Sequence, residues 1–161
     1  MAFSDTVQNE ISGVGAGETG QGAKIELSTI DYESGLKIGR FAKIDAGVLS
    51  NLDGSATPVI AGVVTRRITD SLENPGVVSE DLPYYLGDPN QTFLRQGLVT
   101  VQLSAASGTP TQFGAVYATN EAANVDNGNV STVDDGTTDA VDAEFIKLMP
   151  KTTDIWQIRL K

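Results

Sequence analysis

The segment 57–68, TPVIAGVVTRRI, constrains the fold of this chain more than any other stretch. Its β-branched residues lose rotamer freedom in a helix and pack well on a pleated sheet. Apolar residues fall on both alternating faces for about six positions, which predicts a strand that is buried on both sides. Gly62, in the middle of the run, indicates a bulge, a bend or the close approach of another backbone.

Further strands are predicted before and after this segment, and no clear amphipathic helix is present. Alternation of apolar and polar residues predicts strands at 23–28, 37–44, 93–103, 112–119, 144–149 and 154–160. Segment 45–56 is predicted to be a connection. The polar stretch 120–143 is predicted to hold only short strands, around 129–133, or a short turn of helix at 139–144. We therefore predict an all-β fold with one domain, either a β-sandwich, a jelly-roll-like domain or a barrel.

The first 22 residues differ in composition from the rest and predict an extended N-terminal arm (1–22) ahead of a single β-rich domain (23–161). Five glycines fall within ten positions of this segment, which leaves little to fold around. A frayed terminus has the same composition, but spaced apolar residues favour an arm that orders against a neighbouring protein. The candidate partner-binding residues of the arm are Phe3, Val7, Ile11 and Val14.

A long loop is predicted at 69–92, where three prolines interrupt the chain around an apolar island, LPYYL. Loops of this length without structure of their own are uncommon in compact domains and are often functional. Adjacent tyrosines suit an interface, because they bury a large area at low entropic cost. Packing of the tyrosines against their own domain is an equal alternative. The candidate partner-binding residues of the loop are Leu82, Tyr84, Tyr85 and Leu86.

Charge and residue types exclude several classes of function. The formal net charge is −10, which predicts repulsion from phosphate backbones and no nucleic-acid partner. No Lys or Arg lies between Gln96 and Ile146, although seven acidic residues do, and this pattern indicates a solvated acidic surface. The chain lacks both Cys and His, so disulfides, thiolate metal sites and the commonest general base are absent. We predict no catalytic residues, no metal and no cofactor.

Short motifs do not change this prediction. Segment 15–20, GAGETG, matches the letters of a dinucleotide-binding fingerprint, but a strand follows it where that motif needs a helix. The acidic stretch 126–136 lacks the spacing of an EF-hand loop, although its carboxylates leave Ca²⁺ binding open. The N-terminal residues lack the apolar core of a signal peptide, and no run is long enough to span a membrane, which predicts no membrane partner.

Several stretches resemble the head decoration or cement proteins of tailed bacteriophages. They are the arm MAFSDTVQNEISGVGAGETGQG, then GLKIGRFAKIDAG, VIAGVVTRRI, FGAVYATN and the closing FIKLMP and DIWQIRLK. The resemblance implies a structural virion protein that binds the outside of an icosahedral capsid and cements neighbouring major capsid subunits. It implies the major capsid protein as partner, a homo-oligomer (dimer or trimer), no enzymatic activity, and a place on the capsid surface after synthesis in the host cytoplasm.

Two alternatives stay open at this point. The first is another virion component, such as a tail, baseplate or fibre-head module that binds a protein or a glycan. The second belongs to a different class and is a Ca²⁺-dependent carbohydrate-binding module or a small carboxylate-dependent hydrolase.

Overall fold

The computed structural model describes residues 17, 19, 24–28, 32–33, 35–65 and 91–161, and for 24–28, 91 and 92 it describes the backbone alone. These residues form nine strands and no helix, which confirms the predicted all-β fold. The strands are β1 (Lys24–Ser28), β2 (Phe41–Asp45), β3 (Val48–Asn51), β4 (Ile60–Val64), β5 (Gln91–Gln102), β6 (Ala115–Thr119), β7 (Val130–Ser131), β8 (Thr138–Leu148) and β9 (Ile155–Leu160).

The strands pair antiparallel in one curled sheet in which β5 is shared between two halves. The order is β3-β2-β4-β5-β9-β8-β6-β7, and β1 lies beside β5. The first half of β5 pairs with β1 and β4, and its second half, from Gly97 onward, pairs with β9. Gly97 has a φ of 116°, a value that favours glycine where a long strand bends between partners. Beyond β5, a parallel bridge joins Leu103 to Val130 of β7, so the later strands curl round on themselves.

Strand β4 confirms the prediction of a strand that is buried on both sides. Val63 belongs to one hydrophobic cluster and Val64 to the other, and both are fully buried. Gly62 has a φ of 145°, and a Cβ atom added there would overlap the carbonyl oxygen of Leu94 on β5. The structure therefore shows two of the three predicted readings of this glycine, the close approach of another backbone and a bulge-like register shift beside it in the pairing with β2.

Two hydrophobic clusters form the core. The larger cluster contains Phe41, Leu52, Val63, Leu94, Val99, Val101, Val116, Ala118, Val130, Ala143, Phe145, Ile158 and Leu160, so it extends over both halves of the sheet. The smaller cluster contains Tyr32, Leu36, Ile38, Ala42, Leu49, Ala61, Val64 and Phe93. Because β2, β4 and β5 contribute to both clusters, these three strands connect them.

Two local predictions are wrong. Segment 45–56 is not only a connection, because β3 lies within it and pairs with β2 through a two-residue turn. Ala46 and Gly47 form that turn with φ values of 47° and 84°, the left-handed pair that a tight hairpin requires. The helical turn at 139–144 is also wrong, since these residues lie in β8. Pairing with β6 on one side and β9 on the other overrides the weak strand propensity of the Ala- and Asp-rich sequence there.

Candidate partner-binding surfaces

The residues that the sequence singled out for partner binding lie outside the described residues. This holds for Phe3, Val7, Ile11 and Val14 of the arm and for Leu82, Tyr84, Tyr85 and Leu86 of the loop. The structure does describe the places where both segments join the domain. Those two roots are the part of the candidate site whose geometry is known.

The loop is rooted in the pairing of β4 with β5. Val64, at the end of β4, is paired with Phe93, and Val63 is paired with Leu94. The two described ends between which the loop lies are therefore neighbours in an antiparallel pair. Since Val64 and Leu94 are fully buried, this root is anchored in the core of the molecule.

The arm is rooted against the second half of β5. The backbone N–H of Gly17 donates to the carbonyl oxygen of Thr100 at 2.6 Å, and Thr19 forms an antiparallel bridge with Val99. Gly17 has a φ of 83°, and a Cβ atom added there would lie only 2.9 Å from the backbone nitrogen of Gly39. Gly17 and Thr19 of the predicted arm thus contact the domain closely, and the position of Gly17 is one that only glycine fits.

The two roots are adjacent. The Cβ atom that Gly17 lacks would lie 3.1 Å from the carbonyl oxygen of Val64, the residue that ends β4. The same carbonyl accepts a hydrogen bond from the N–H of Gly39 at 2.8 Å, so Gly17, Gly39 and Val64 form one packed corner. The arm and the loop therefore join the domain at the same corner, although they lie far apart in the sequence.

Sequence reasoning missed four large apolar side chains that the described surface exposes. They are Val59 (69% exposed), Phe113 (62%), Val125 (82%) and Leu148 (43%). The sequence placed Phe113 in a strand, but β6 begins only at Ala115. Phe113 lies in a turn that the hydrogen bond from Gly114 N–H to Thr111 O closes at 2.9 Å. Pro110, just before this turn, and Gly114, at its end, are the sequence features that could have predicted it.

Val125 lies in a loop, residues 120–129, that a buried arginine holds in place. The guanidinium of Arg40 donates to the carbonyl oxygens of Val125 and Asn127, the latter at 3.2 Å. Gly128 follows, and its carbonyl accepts the N–H of Phe41 at 2.8 Å. The loop is therefore fixed to the start of β2 across more than eighty residues of sequence, with the Val125 side chain outward.

A second group of hydrogen bonds fixes the other side of this loop. The amide of Asn120 donates to the carbonyl oxygen of Ser55 at 2.9 Å and to the carboxylate of Asp139 at 2.6 Å. Its side-chain oxygen accepts the N–H of Gly54, also at 2.6 Å. Asn120 thus connects the segment after β3 with β8. An asparagine side chain can make all three bonds because its amide carries both donors and an acceptor.

Two acidic side chains of the described surface, Asp53 and Asp135, have a lowered pKa. A 2.8 Å ion pair with the buried Lys43 ammonium, aided by Ser55, holds the pKa of Asp53 below its ordinary value of 3.8. Hydrogen bonds from the Thr137 hydroxyl and backbone N–H lower the pKa of Asp135. Within the described ranges, no three acidic side chains are placed to hold a metal ion, so the Ca²⁺-dependent alternative has no ligand cluster there. No described helix could cross a membrane.

The comparisons with known proteins agree with one another. A sequence model described as XM1 gp53 minor capsid protein matches residues 3–160, a range that includes both the arm and the loop. Among solved structures, a chain of "The capsid of Myoviridae Phage XM1" is similar over 100% of this chain and 98% of its own length, with 29% identity and a TM-score of 0.76. No curated protein gives a significant match.

The all-β fold and this neighbour define the protein as a capsid-associated structural protein of a bacteriophage, which confirms the expected class and the expected localisation to the virion. The chain belongs to the XM1 gp53 minor capsid protein family.

Proposed function

We propose that this protein binds the outside of an icosahedral phage capsid and cements neighbouring major capsid subunits, through its N-terminal arm and its 69–92 loop. The role is one of binding and not of catalysis. The observation that carries the proposal is the shared corner at Gly17 and Val64, because it lets both segments reach the same neighbouring surface.

The physical argument combines a rigid root with adaptable segments. An arm that orders on a neighbour covers much surface for its length. A loop anchored on the β4–β5 pair adds a second contact from the same corner. Two linked contacts bind far more tightly than either alone when their spacing matches the partner. Repetition of such contacts over a shell joins subunits that would otherwise separate.

The acidic surface fits the same role. A net charge of −10 keeps free copies soluble. Attachment then depends on the apolar residues of the two segments. The proposed partner is the major capsid protein, and the proposed candidates for contact remain Phe3, Val7, Ile11 and Val14 in the arm, and Leu82, Tyr84, Tyr85 and Leu86 in the loop.

The test measures the affinity of variants for purified capsids that lack this protein, by cosedimentation. We expect removal of residues 1–14, or Tyr84→Ala with Tyr85→Ala, to weaken capsid binding by at least about tenfold, because each removes one of two linked contacts. Both variants should melt at the temperature of the intact protein, since neither touches the described core.

A longer deletion, of residues 1–22, serves as the structural control. It also removes Gly17 and Thr19, whose backbones pair with β5, so it should lower the melting temperature as well as the affinity. Val59→Ser, at an exposed apolar residue away from the shared corner, controls for the loss of surface hydrophobicity and should bind normally. If the 1–14 deletion saturates capsids like the intact protein, the arm has no part in binding. If Tyr84→Ala with Tyr85→Ala lowers the melting temperature as well as the affinity, the two tyrosines belong to the core.

A further inference from the structure

The two ends of β6 lie beside exposed surfaces that differ in charge. The turn 111–114 precedes β6, and the loop 120–129 follows it. Strand β8 runs alongside in the reverse direction, from the acidic bend 134–136 to Leu148, so its ends are about 34 Å apart along the strand. Each end presents one strongly exposed apolar side chain, Phe113 at the first and Val125 at the second.

The first end, which we call the tip, comprises residues 111–114 and 147–151. Phe113 has a φ of 62°, in a turn position where glycine or asparagine is usual. A large exposed aromatic residue in that conformation adds nothing to the stability of the free chain. A backbone held in a sparsely populated conformation at an exposed side chain is a feature of contact sites. The N–H of Phe113 donates to the Phe145 carbonyl at 2.7 Å, which fixes the turn to β8.

The tip is also where this acidic chain has uncompensated positive charge. Lys147 and Lys151 are exposed, and neither has an ion-pair or hydrogen-bond partner among the described residues. The cations nearby in the sheet, Arg159 and Lys161, are both paired with Glu144. The carboxylate of the same hairpin, Asp154, accepts a hydrogen bond from Gln102 and is half-buried.

The opposite end has the complementary chemistry. Val125 is 82% exposed on the loop that Arg40 braces, so its position is fixed before any contact forms. Residues 120–139 contain carboxylates and no Lys or Arg, and the cation that contacts this loop, Arg40, is buried and donates to its carbonyl oxygens. The exposed acids of this end are Glu121, Asp134 and Asp135.

We propose that copies of this protein contact one another head to tail, the tip of one copy against the Val125 end of the next. The occupant of the tip is a second copy because the matching surface, an apolar centre with an acidic rim, is present on the chain itself. Interfaces combine an apolar centre with a polar rim in this way. A head-to-tail contact between unlike surfaces produces rings or chains and not a closed two-fold dimer. The contact uses other residues than those proposed for the capsid contact, and it is tested without capsids.

The test uses disulfide cross-linking, for which the absence of native cysteine is an advantage. Gln112→Cys places a thiol beside Phe113, and Ala123→Cys places one near Val125, both at exposed positions. Differently tagged single variants are mixed and oxidised with diamide. Ala46→Cys replaces Ala123→Cys in the control, because Ala46 is likewise an exposed alanine with positive φ and lies beside a carboxylate.

We expect the 112–123 pair to cross-link at roughly tenfold higher yield than the 112–46 pair, because a docked contact raises the effective concentration of the thiols. Phe113→Gly, or Lys147→Glu with Lys151→Glu, added to the Gln112→Cys chain should return the yield to the control level. The glycine variant should melt no lower than its parent, since glycine suits that turn. Salt at about 1 M, where the screening length is near 3 Å, should also reduce the yield.

Equal yields for the two pairs overturn the proposal, and so does a yield that Phe113→Gly leaves unchanged. If Phe113→Gly weakens capsid binding while cross-linking stays the same, the tip contacts another capsid protein and the head-to-tail contact is wrong.

Discussion

At the scale of single residues, close backbone approaches do much to determine this fold. Gly62 lets β4 lie against β5 where any Cβ would overlap the Leu94 carbonyl, and Gly17 lets the arm reach the domain. Gly128 has the same function where the braced loop meets β2, since its Cβ would be 2.9 Å from that of Arg40. Each of these glycines has a positive φ as well, so both space and conformation demand it.

Gly62→Ala should therefore lower the free energy of unfolding by about 4 kcal/mol, because a forbidden conformation and a backbone overlap add together. Gly35→Ala is the matched control, since Gly35 has a φ of 84° but no atom within 4 Å of the missing Cβ. Gly35→Ala should lower the free energy of unfolding by about 1 kcal/mol, because only the backbone conformation is unfavourable there. Urea denaturation of both variants measures the difference. Equal losses would mean that the approach of β4 to β5 is not tight.

At the scale of elements, long-range hydrogen bonds from single side chains hold the surface loops. Arg40 is buried and fixes the loop 120–129, and Asn120 fixes the same loop to the segment after β3. Loops held in this way have a defined backbone before they meet a partner, which lowers the entropic cost of binding.

Arg40→Met should lower the free energy of unfolding by roughly 2–3 kcal/mol, because it leaves buried carbonyl oxygens without donors. Amide hydrogen exchange should rise most in residues 121–128. Arg159→Met is the control, since its ion pair with Glu144 is half exposed and should contribute less than about 1 kcal/mol. Exchange that rises evenly over the whole chain would show that Arg40 does not act as a local brace.

The sequence predicts those strands whose own residues show β-branched side chains or an alternation of apolar and polar positions. Strand β4 is evident from its β-branched residues, and β9 from the alternation that buries Ile158 and Leu160. Strand β3 is not evident, because its hairpin turn is Ala46–Gly47 and lacks the usual asparagine or aspartate before the glycine. Phe113 and Val125 could not be recognised as exposed, since their exposure depends on a turn and a brace formed by distant residues.

At the scale of the whole molecule, the curled sheet brings together two segments that the sequence separates by some fifty residues. The arm and the loop join at one corner, and Arg40, which follows Gly39 of that corner, also contacts the loop 120–129. The candidate residues in both segments stay predictions, because they lie outside the described residues. What the sequence could not supply is the adjacency of their roots, which depends on the packing of Gly17 against Val64.

The most direct test of the capsid-cementing role measures the stability of the shell itself. Full-length protein is added to intact, purified capsids that lack it, and the temperature at which the shells open is recorded as occupancy rises. We predict that the protein saturates the shells from outside and raises their opening temperature in proportion to occupancy, because each bound copy joins neighbouring subunits. Failure to bind intact shells, or full occupancy with an unchanged opening temperature, would contradict the account.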